Sequence, residues 1–426
     1  MKPNVVLIVA DTLRKDFSQG LDRLLGLGFV KYDNAFSTSP WTLPSHVSMF
    51  TGLYPSQHGV HEYFGINDMV EDYGRLGRQA MGKFDNLISL LKDEGYRTIG
   101  VTANSFITPI FGFDFDEFYL IPYPPLLHLY DSKLYEFVRA KYRGSKLRLA
   151  LDMIREGKIR ELVKISASYL QYYYLSRTAH KGCNLILHTL EKLDLSGQFF
   201  LFINEMEAHE PYSINVIEKL DPYSKYDYNF LRSIFLNSAE NFMIEHYKKF
   251  YKIHARRSVN CILDIISELN KRIDVNNSLI IVIADHGNHS GEKGRIYHGY
   301  YLTDELLRVP LYVRYPENVN YDSKIKEGYI SLTFLYNLIK SLLYNESFQA
   351  NDLPVFSESY GPQHPLPKIK SYFSLPESEL KKYYSHRIRL FLHNRYLVYD
   401  ADKDIIIEHS GDFNLEQVKK LKELFT

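Results

Sequence analysis

The sequence predicts an α/β protein with a mostly parallel central sheet. Short apolar runs rich in β-branched residues recur along the chain, helical segments separate several of them, and polar residues follow where they end. A strand that is apolar at every position is buried on both faces, as in parallel sheets covered by helices. The repeated order of helix, turn and buried strand therefore favours this class.

The first strand covers residues 5–10 and ends in an acid, Asp11. Further runs follow at residues 97–102, 199–203, 278–284 and 309–313, and helical patterns precede the first three of these, one of them at 87–94 with Gly95 as its stop. The strand ends carry Asp11-Thr12, Asn104, Asn204-Glu205 and Asp285-His286. Ligands of open α/β sheets bind at the carboxyl ends of strands, so these four polar clusters predict one site.

Two regions interrupt this pattern. Residues 120–180 contain no clear sheet strand, and residues 130–181 carry twelve Lys or Arg against five Asp or Glu, together with Tyr172-Tyr173-Tyr174. We predict a helical insertion, which could be a solvated basic face with ordinary tyrosine packing, a lid, an oligomer contact, or a surface for a membrane or an anionic substrate.

The pattern changes again near residue 340. Strands at 388–392, 396–399 and 404–408, followed by a helix at 414–424, predict a small antiparallel sheet closed by a terminal helix. We therefore expect a catalytic domain over residues 1–340 and a small C-terminal α+β subdomain over residues 341–426.

Composition limits the class of protein. The 426 residues include 51 Lys+Arg and 51 Asp+Glu, which argues against a nucleic-acid binder, and 15% aromatic residues exclude disorder. Cys183 and Cys261 form no CxxC motif, which excludes a disulfide scaffold and a cysteine zinc site. The N-terminal apolar run is too short for a signal peptide, and no run approaches a transmembrane segment. We expect a soluble cytoplasmic protein.

The segment from Ser39 to Gly52 predicts a helix that begins near a threonine. Pro44 fits the first turn and Gly52 fits the end of the helix. The Thr42 hydroxyl then lies where free N–H groups and the helix dipole favour an anion. From this segment alone, a capping role and a nucleophilic role are both open, and a nucleophile would need activation by a metal.

Two further segments carry candidate chemistry. From Asp285 to His298 there are three glycines and three histidines, and the adjacent Asp285 and His286 offer one oxygen and one nitrogen to a divalent ion. The other segment, residues 204–212, places Glu205, Glu207 and a histidine after a strand, where the histidine could orient a substrate oxygen or protonate a leaving group. Polar loops with purely structural roles are the alternative reading of both segments.

Taken in order, these stretches resemble the sulfatase branch of the alkaline phosphatase superfamily. The matching motifs are the strand ending in Asp11, the run Ser39-Pro40-Trp41-Thr42-Leu43-Pro44-Ser45-His46, the box His209-Glu210-Pro211-Tyr212, the segment Ala284-Asp285-His286-Gly287, and the segment from Asp304 to Leu311. The resemblance implies an alkaline-phosphatase-like three-layer α/β/α sandwich. It also implies a site whose metal ligands are Asp11, Thr42, Asp285 and His286 and whose substrate-facing residues are His46, His209 and His298.

The nucleophile segment departs from the family pattern. Sulfatases convert a Cys or Ser of Cys/Ser-x-Pro-x-Arg to formylglycine, whereas this chain has Thr42, which cannot be converted, and His46 in place of the Arg. The segment is closer to threonine-nucleophile members such as nucleotide phosphodiesterases, phosphonoacetate-hydrolase-like enzymes and lipoteichoic-acid-synthase-like transferases. The resemblance therefore implies Thr42 as a metal-activated nucleophile, with His209 or His298 protonating the leaving group.

These observations predict a metal-dependent hydrolase of phospho- or sulfo-esters, acting on a phosphodiester, a phosphonate monoester or a sulfate ester. The cofactor would be Ca, Mg, Mn or Zn, as one ion or as two if Glu205 or Glu207 joined His209 and His298. The expected partner is a small anionic ester, free or linked to a glycan or lipid, and a homo-oligomer stays open. The alternatives are a phosphoglycerol or phospho-group transferase and a non-catalytic binding protein on a degenerate site.

Overall fold

The computed structural model describes residues 2–121, 146–170, 181–212, 224–317, 319, 328–346, 355–392 and 395–411. The predicted C-terminal helix at 414–424 and the Tyr172-Tyr173-Tyr174 run lie outside the described residues. So do residues 122–145 and 171–180 of the predicted insertion. None of the helices among the described residues is both long and apolar enough to cross a bilayer.

The described residues contain strands of two to seven residues and helices of four to thirty-two. The strands are β1 (Asn4–Ala10), β2 (Val30–Phe36), β3 (Arg97–Thr102), β4 (Glu117–Leu120), β5 (Phe199–Glu205), β6 (Ser278–Ala284), β7 (His289–Ser290), β8 (Ile296–Tyr297), β9 (Arg308–Arg314), β10 (Ile330–Ser331), β11 (Val355–Ser359), β12 (Arg387–Leu392), β13 (Arg395–Asp400) and β14 (Ile405–Ser410). The helices are α1 (Thr42–Thr51), α2 (Pro55–His58), α3 (Met69–Lys83), α4 (Leu87–Asp93), α5 (Lys146–Arg155), α6 (Ile159–Leu170), α7 (Cys183–Lys192), α8 (Ser224–Phe235), α9 (Asn241–Arg272), α10 (Asp304–Leu307), α11 (Phe334–Tyr344), α12 (Leu366–Tyr372) and α13 (Glu377–Lys381).

An eight-stranded sheet forms the centre of the fold, with the strand order β10-β2-β9-β6-β1-β5-β3-β4. Strand β9 runs antiparallel to both of its neighbours, and every other neighbouring pair in this sheet is parallel. Every residue of β5 and β6 is buried, as is every residue of β1 after Asn4. Because side chains alternate between the two faces of a strand, both faces of the sheet are covered. The predicted mostly parallel α/β architecture is confirmed.

The C-terminal residues form a second sheet of four antiparallel strands, β11-β12-β13-β14. The predicted strands correspond to β12, β13 and β14, and β11 is an additional first strand. Strand β11 lies against the loop that precedes α1, where the Glu358 N–H donates to the Thr38 carbonyl at 2.8 Å. Apolar residues of β2, α10 and the second sheet share one buried cluster, which includes Phe36, Leu306 and Phe391. The small sheet is therefore packed on the main domain.

The two cysteines are joined in a disulfide between α7 and α9. Cys183 is the first residue of α7 and Cys261 lies in α9, 78 residues further along the chain. Spacing alone gives no reason to pair two such distant residues, and it is the packing of the two helices that brings them together.

Candidate active site

Three neighbouring strands carry the predicted acidic residues to the same edge of the sheet. Strand β1 lies between β5 and β6, and Ala10 is paired with Glu205 on one side and Ala284 on the other. Asp11 and Asp285 therefore leave the sheet side by side. The Thr12 N–H donates to Asp285 Oδ1 at 3.1 Å and links the two loops. The convergence of polar strand ends is thus present in the structure.

The first cluster consists of Asp11, Asp285 and His286, whose ligand atoms all lie within 4.8 Å of one another. The fourth predicted ligand joins them, because Thr42 Oγ1 lies 3.2 Å from His286 Nε2. His286 Nδ1 donates to the Gly287 carbonyl at 2.8 Å. A proton held on Nδ1 leaves the lone pair on Nε2, which faces Thr42.

This cluster fits a divalent cation. Asp11 Oδ1 and Asp285 Oδ2 are buried and form no hydrogen bond, and a buried carboxylate oxygen without a partner is costly. Burial raises the pKa of Asp285 to about 7, and burial together with the neighbouring Asp285 raises the pKa of Asp11 well above its usual range. Burial lowers the pKa of His286 to about 3, so this imidazole is neutral at pH 7. A cation would relieve the repulsion between the carboxylates and use the free oxygens.

Thr42 is the first residue of α1, and all ten residues of this helix are buried. Pro44 lies in the first turn, and Gly52 ends the helix with a left-handed backbone (φ 73°), as the sequence predicts. The residue at the N-cap is Trp41, which forms no side-chain cap. The Thr42 hydroxyl is therefore not used for capping and is directed to His286.

Neighbouring groups hold the β1 loop in a strained backbone. Thr12 has φ 59°, a left-handed conformation that is unfavourable for a β-branched residue. Tyr251 of α9 holds this bend, because its hydroxyl donates to the Thr12 carbonyl at 2.7 Å and accepts from the Arg14 N–H at 2.9 Å. Strain of this kind costs about 1–3 kcal/mol and is concentrated at functional sites. Asn104, a predicted strand-end residue, donates to Asp11 Oδ2 at 2.5 Å and fixes that carboxylate.

A second cluster of possible ligands lies beside the first. It contains His209 and His298, which were predicted to face the substrate, and also Glu210, which was not predicted to have a role. Glu210 Oε1 lies 3.4 Å from His298 Nδ1 and 3.8 Å from His209 Nε2. The His298 and His286 rings are 4.6 Å apart between centroids, so the two clusters share one pocket.

Glu205 and Glu207, the acids suggested for a second metal, point elsewhere. Glu205 accepts from the Ser258 hydroxyl and, at 2.8 Å, from the Glu207 N–H. Glu207 Oε1 accepts from the N–H groups of Lys181 (2.9 Å) and Cys183 (3.2 Å). Both carboxylates therefore brace the loop after β5 against α7 and α9, and Glu210 is the glutamate that lies beside His209 and His298.

His46 is a fully buried residue in the first half of α1. Its Nδ1 lies 2.9 Å from the Thr42 carbonyl and 3.7 Å from Asp285 Oδ2, and its ring packs edge-on against Phe202 of β5. The side chain therefore faces the sheet, and burial lowers its pKa to about 3. Its Nε2 is buried without a hydrogen-bond partner, and a contact of His46 with a substrate stays a prediction.

Gly287 follows the Asp285-His286 pair for a reason other than a sharp turn. A Cβ at this position would lie 2.0 Å from the Glu305 carbonyl oxygen, and the Gly287 N–H donates to the Leu306 carbonyl at 2.7 Å. Glycine is needed here because the backbone of α10 packs directly on the segment that carries Asp285 and His286.

Comparisons with known proteins give the family of the chain. The sulfatase family model matches residues 3–343. Two curated relatives are the Extracellular sulfatase SULF-1 homolog of Drosophila melanogaster, 22% identical over 344 residues, and the uncharacterized sulfatase YidJ of Escherichia coli K12, 21% identical over 344 residues. Each alignment covers 74% of this chain, but only 28% and 63% of the respective relatives.

Solved structures share the fold at low sequence identity. A phosphonate monoester hydrolase of Agrobacterium radiobacter has a TM-score of 0.57 and 14% identity, covering 95% of this chain and 90% of its own. The corresponding hydrolase of Silicibacter pomeroyi gives 0.55 and 16%, covering 99% and 94%, and a 2-O GAG sulfatase gives 0.53 and 14%, covering 99% and 87%. The chain belongs to the sulfatase family of the alkaline phosphatase-like superfamily.

Proposed function

We propose that the protein is a metal-dependent hydrolase of phosphate or sulfate esters in which Thr42 is the nucleophile. The observation that carries this proposal is the position of Thr42 Oγ1. It lies 3.2 Å from His286 Nε2, at the N-terminus of a buried helix and in the pocket that holds the unpaired oxygens of Asp11 and Asp285. No formylglycine is needed, because the hydroxyl is already placed among metal-type ligands.

Asp11, Thr42, Asp285 and His286 would hold the cation, and their three oxygens and one nitrogen suit Ca, Mg, Mn or Zn. When bound, a divalent cation lowers the pKa of a ligated hydroxyl and offsets charge on the transferred group. The free N–H groups of the first turn of α1, at the positive end of the helix dipole, also face this pocket.

The proposed hydrolysis has two steps. Thr42 Oγ1 forms a bond to phosphorus or sulfur as the bond to the leaving oxygen breaks, which gives an ester on Thr42. The proton of the Thr42 hydroxyl passes to an imidazole and then to the leaving alkoxide, and His209 and His298 are the candidates for this transfer. Water then cleaves the ester on Thr42, which releases the acid and restores the hydroxyl.

The charges favour a monoanionic substrate when one cation is bound. Its two positive charges balance Asp11 and Asp285, and the buried carboxylate of Glu210 remains in the same pocket. A phosphodiester, a phosphonate monoester or a sulfate ester carries one negative charge and meets less repulsion than a dianion does. The names of the solved relatives, phosphonate monoester hydrolase and sulfatase, are consistent with this class.

An activity panel tests the proposal. The purified protein is assayed with an aryl phosphodiester, a phenylphosphonate monoester, an aryl phosphate and an aryl sulfate, each with Mg, Mn, Zn and Ca. We expect turnover of at least one monoanionic ester with at least one of these metals. No turnover in any combination would contradict the hydrolase assignment, and turnover only with an added glycan or lipid acceptor would support the transferase instead.

A further inference from the structure

We propose that α5 and α6 dock the protein on an anionic lipid bilayer. The partner is the surface of the membrane, and the two helices lie along it. This inference concerns residues outside the two clusters and does not depend on the hydrolysis proposed above. It is argued from the side chains that these helices present to solvent and from the charges beside them.

Helix α5 carries apolar residues on two different sides. Met153 is buried and Leu149 is partly buried, so this side packs against the protein. Leu147, Leu151 and Ile154 are exposed over 73%, 46% and 51% of their surface. Their spacing of four and three residues places them in one line along the helix. An apolar line of side chains therefore faces solvent along most of α5.

Helix α6 continues this pattern after a short turn. Only residues 156–158 separate the two helices, and Gly157 provides the left-handed backbone (φ 72°) of the turn. Ile159 and Val163, four residues apart, are 54% and 60% exposed, whereas Leu162 is partly buried. Each helix thus has an inner and an outer apolar side. The outer apolar residues of the pair are Leu147, Leu151, Ile154, Ile159 and Val163.

Basic residues accompany the outer apolar residues. Four of the five are followed in the sequence by Arg or Lys, in the pairs Leu147-Arg148, Ile154-Arg155, Ile159-Arg160 and Val163-Lys164. One position corresponds to about 100° around a helix, so each basic residue lies beside the apolar line and not opposite it. Arg155 pairs with Asp152 at 3.7 Å, yet 76% of the arginine side chain is exposed. Residues 146–170 hold six Lys or Arg and three Asp or Glu, which gives this surface a positive charge.

An anionic bilayer satisfies both features of this surface. Apolar side chains of an interfacial helix enter the boundary between headgroups and acyl chains, and Lys and Arg beside them bind lipid phosphates. A soluble anion would leave the outer apolar residues in water, and an apolar protein groove would not use the basic residues beside them. Helices of ten and twelve residues are shorter than the roughly twenty needed to cross the hydrocarbon core, and they suit a position along the surface.

Flotation with lipid vesicles tests the docking. The full chain is mixed with vesicles of phosphatidylcholine alone or of phosphatidylcholine with phosphatidylglycerol, and the bound fraction is measured after centrifugation through a density gradient. We expect the wild type to bind the mixed vesicles about tenfold more tightly than the neutral ones, because the basic residues meet anionic headgroups. Added salt should weaken this preference.

Two double variants separate the apolar from the charged contribution. Leu147→Ser/Leu151→Ser removes apolar surface and should weaken binding to both kinds of vesicle by about tenfold or more. Arg155→Gln/Arg160→Gln keeps the apolar surface and should mainly reduce the preference for the mixed vesicles. The four side chains are exposed, so the circular dichroism spectrum and the Tm should not change.

Leu25→Ser/Leu27→Ser is the matched control. These leucines lie in the segment before β2 and are 46% and 45% exposed. The variant therefore removes a similar apolar surface from another part of the molecule, and it should bind vesicles as the wild type does.

The outcomes distinguish the bilayer from other partners of this surface and from the proposed function. No flotation of the wild type with mixed vesicles, or equal loss of binding in Leu25→Ser/Leu27→Ser and Leu147→Ser/Leu151→Ser, would overturn the docking. A wild-type dimer in sedimentation equilibrium without lipid that becomes a monomer in Leu147→Ser/Leu151→Ser would assign the surface to a second copy and would also overturn it. Flotation of a protein that hydrolyses no ester would keep the docking and reject only the hydrolase.

Discussion

Thr42 is the residue on which the proposed chemistry depends most directly. Thr42→Ala removes the nucleophilic oxygen and should lower kcat by about 10³-fold or more. The helix should remain, because the Thr42 hydroxyl does not cap it and a hydrogen bond such as the one with His286 is worth about 1 kcal/mol. Steady-state kinetics and a thermal melt of the same preparation measure both effects.

Thr42→Ser is the matched variant for this experiment. It keeps an oxygen at the same place beside His286 and should retain a measurable part of the activity. Activity of Thr42→Ala within tenfold of the wild type would show that another group, or a water, attacks the ester.

Asp285 holds the loops of the first cluster together as well as offering a free oxygen. Its Oδ1 accepts from the Thr12 and His286 N–H groups, at 3.1 and 2.8 Å, while Oδ2 has no partner. Asp285→Asn keeps the side-chain shape and an acceptor but removes the negative charge. We expect the variant to lose one equivalent of bound metal in elemental analysis and to lose turnover. Unchanged metal content with an unchanged circular dichroism spectrum would contradict its role as a ligand.

Sequence reasoning at the residue scale worked where a motif and a strand end coincide. Asp11, Thr42, Asp285 and His286 follow or begin elements that the apolar pattern locates, and the structure brings all four together. Glu210 was missed because three acids lie between residues 205 and 210, and spacing does not show which of them turns inward. The difference comes from contacts distant in sequence, such as Ser258 with Glu205 and Asn288 with Glu210.

At the scale of elements, burial on both faces determined what could be predicted. Strands β1, β3, β5 and β6 are buried over all or nearly all of their length, and their apolar runs placed them within a few residues. Strands β2 (VKYDNAF) and β11 (VFSES) were not predicted, because the polar residues in both interrupt the apolar pattern. β11 is nevertheless buried, because Ser357 donates to the Ser37 carbonyl and its neighbours pair with β12. An apolar run does not show whether a strand is parallel or antiparallel to its neighbours. The antiparallel direction of β9 could therefore not be predicted.

The disulfide should stabilise the contact of α7 with α9. A bridge that closes a loop of this length is worth about 2–4 kcal/mol. It also holds the start of α7, whose Cys183 N–H bonds to Glu207 in the loop that carries His209. Reductant should therefore lower the Tm of the wild type. Differential scanning calorimetry with and without dithiothreitol measures this change.

The double variant Cys183→Ser/Cys261→Ser is the control, since its Tm should not respond to dithiothreitol. Thiol titration in denaturant should find no free thiols in protein isolated under conditions that block exchange. Two free thiols in that protein would show that the bridge is not formed.

On the scale of the whole molecule, the small sheet is part of the catalytic fold. Its first strand bonds to the Ser37 and Thr38 carbonyls, a few residues before Thr42. Tyr54, which follows α1, stacks on Phe356 of the same strand with ring centroids 3.7 Å apart. The segment that carries Thr42 is therefore held between the two sheets. The antiparallel sheet could be predicted from its alternating pattern, but this docking depends on contacts that no local pattern contains.

Charge is also a property of the whole molecule. The formal net charge is zero, so the protein as a whole does not attract an anionic ester over a long range. The excess of basic residues lies within residues 130–181, which include α5 and α6. If these helices steer the substrate, kcat/KM for an anionic ester should fall as salt screens them, with a Debye length of about 8 Å at physiological ionic strength.

The double variant Arg155→Gln/Arg160→Gln tests this steering, since it removes two charges from α5 and α6. We expect kcat/KM at low salt to fall by about twofold to tenfold and its salt dependence to flatten, with kcat unchanged because neither residue belongs to the two clusters. Lys192→Gln/Lys271→Gln removes two charges from the last turns of α7 and α9, which lead to the amino ends of β5 and β6 at the opposite edge of the sheet. This control should behave like the wild type. Equal salt dependence in all three proteins would mean that α5 and α6 do not steer the substrate and that its attraction arises within the pocket.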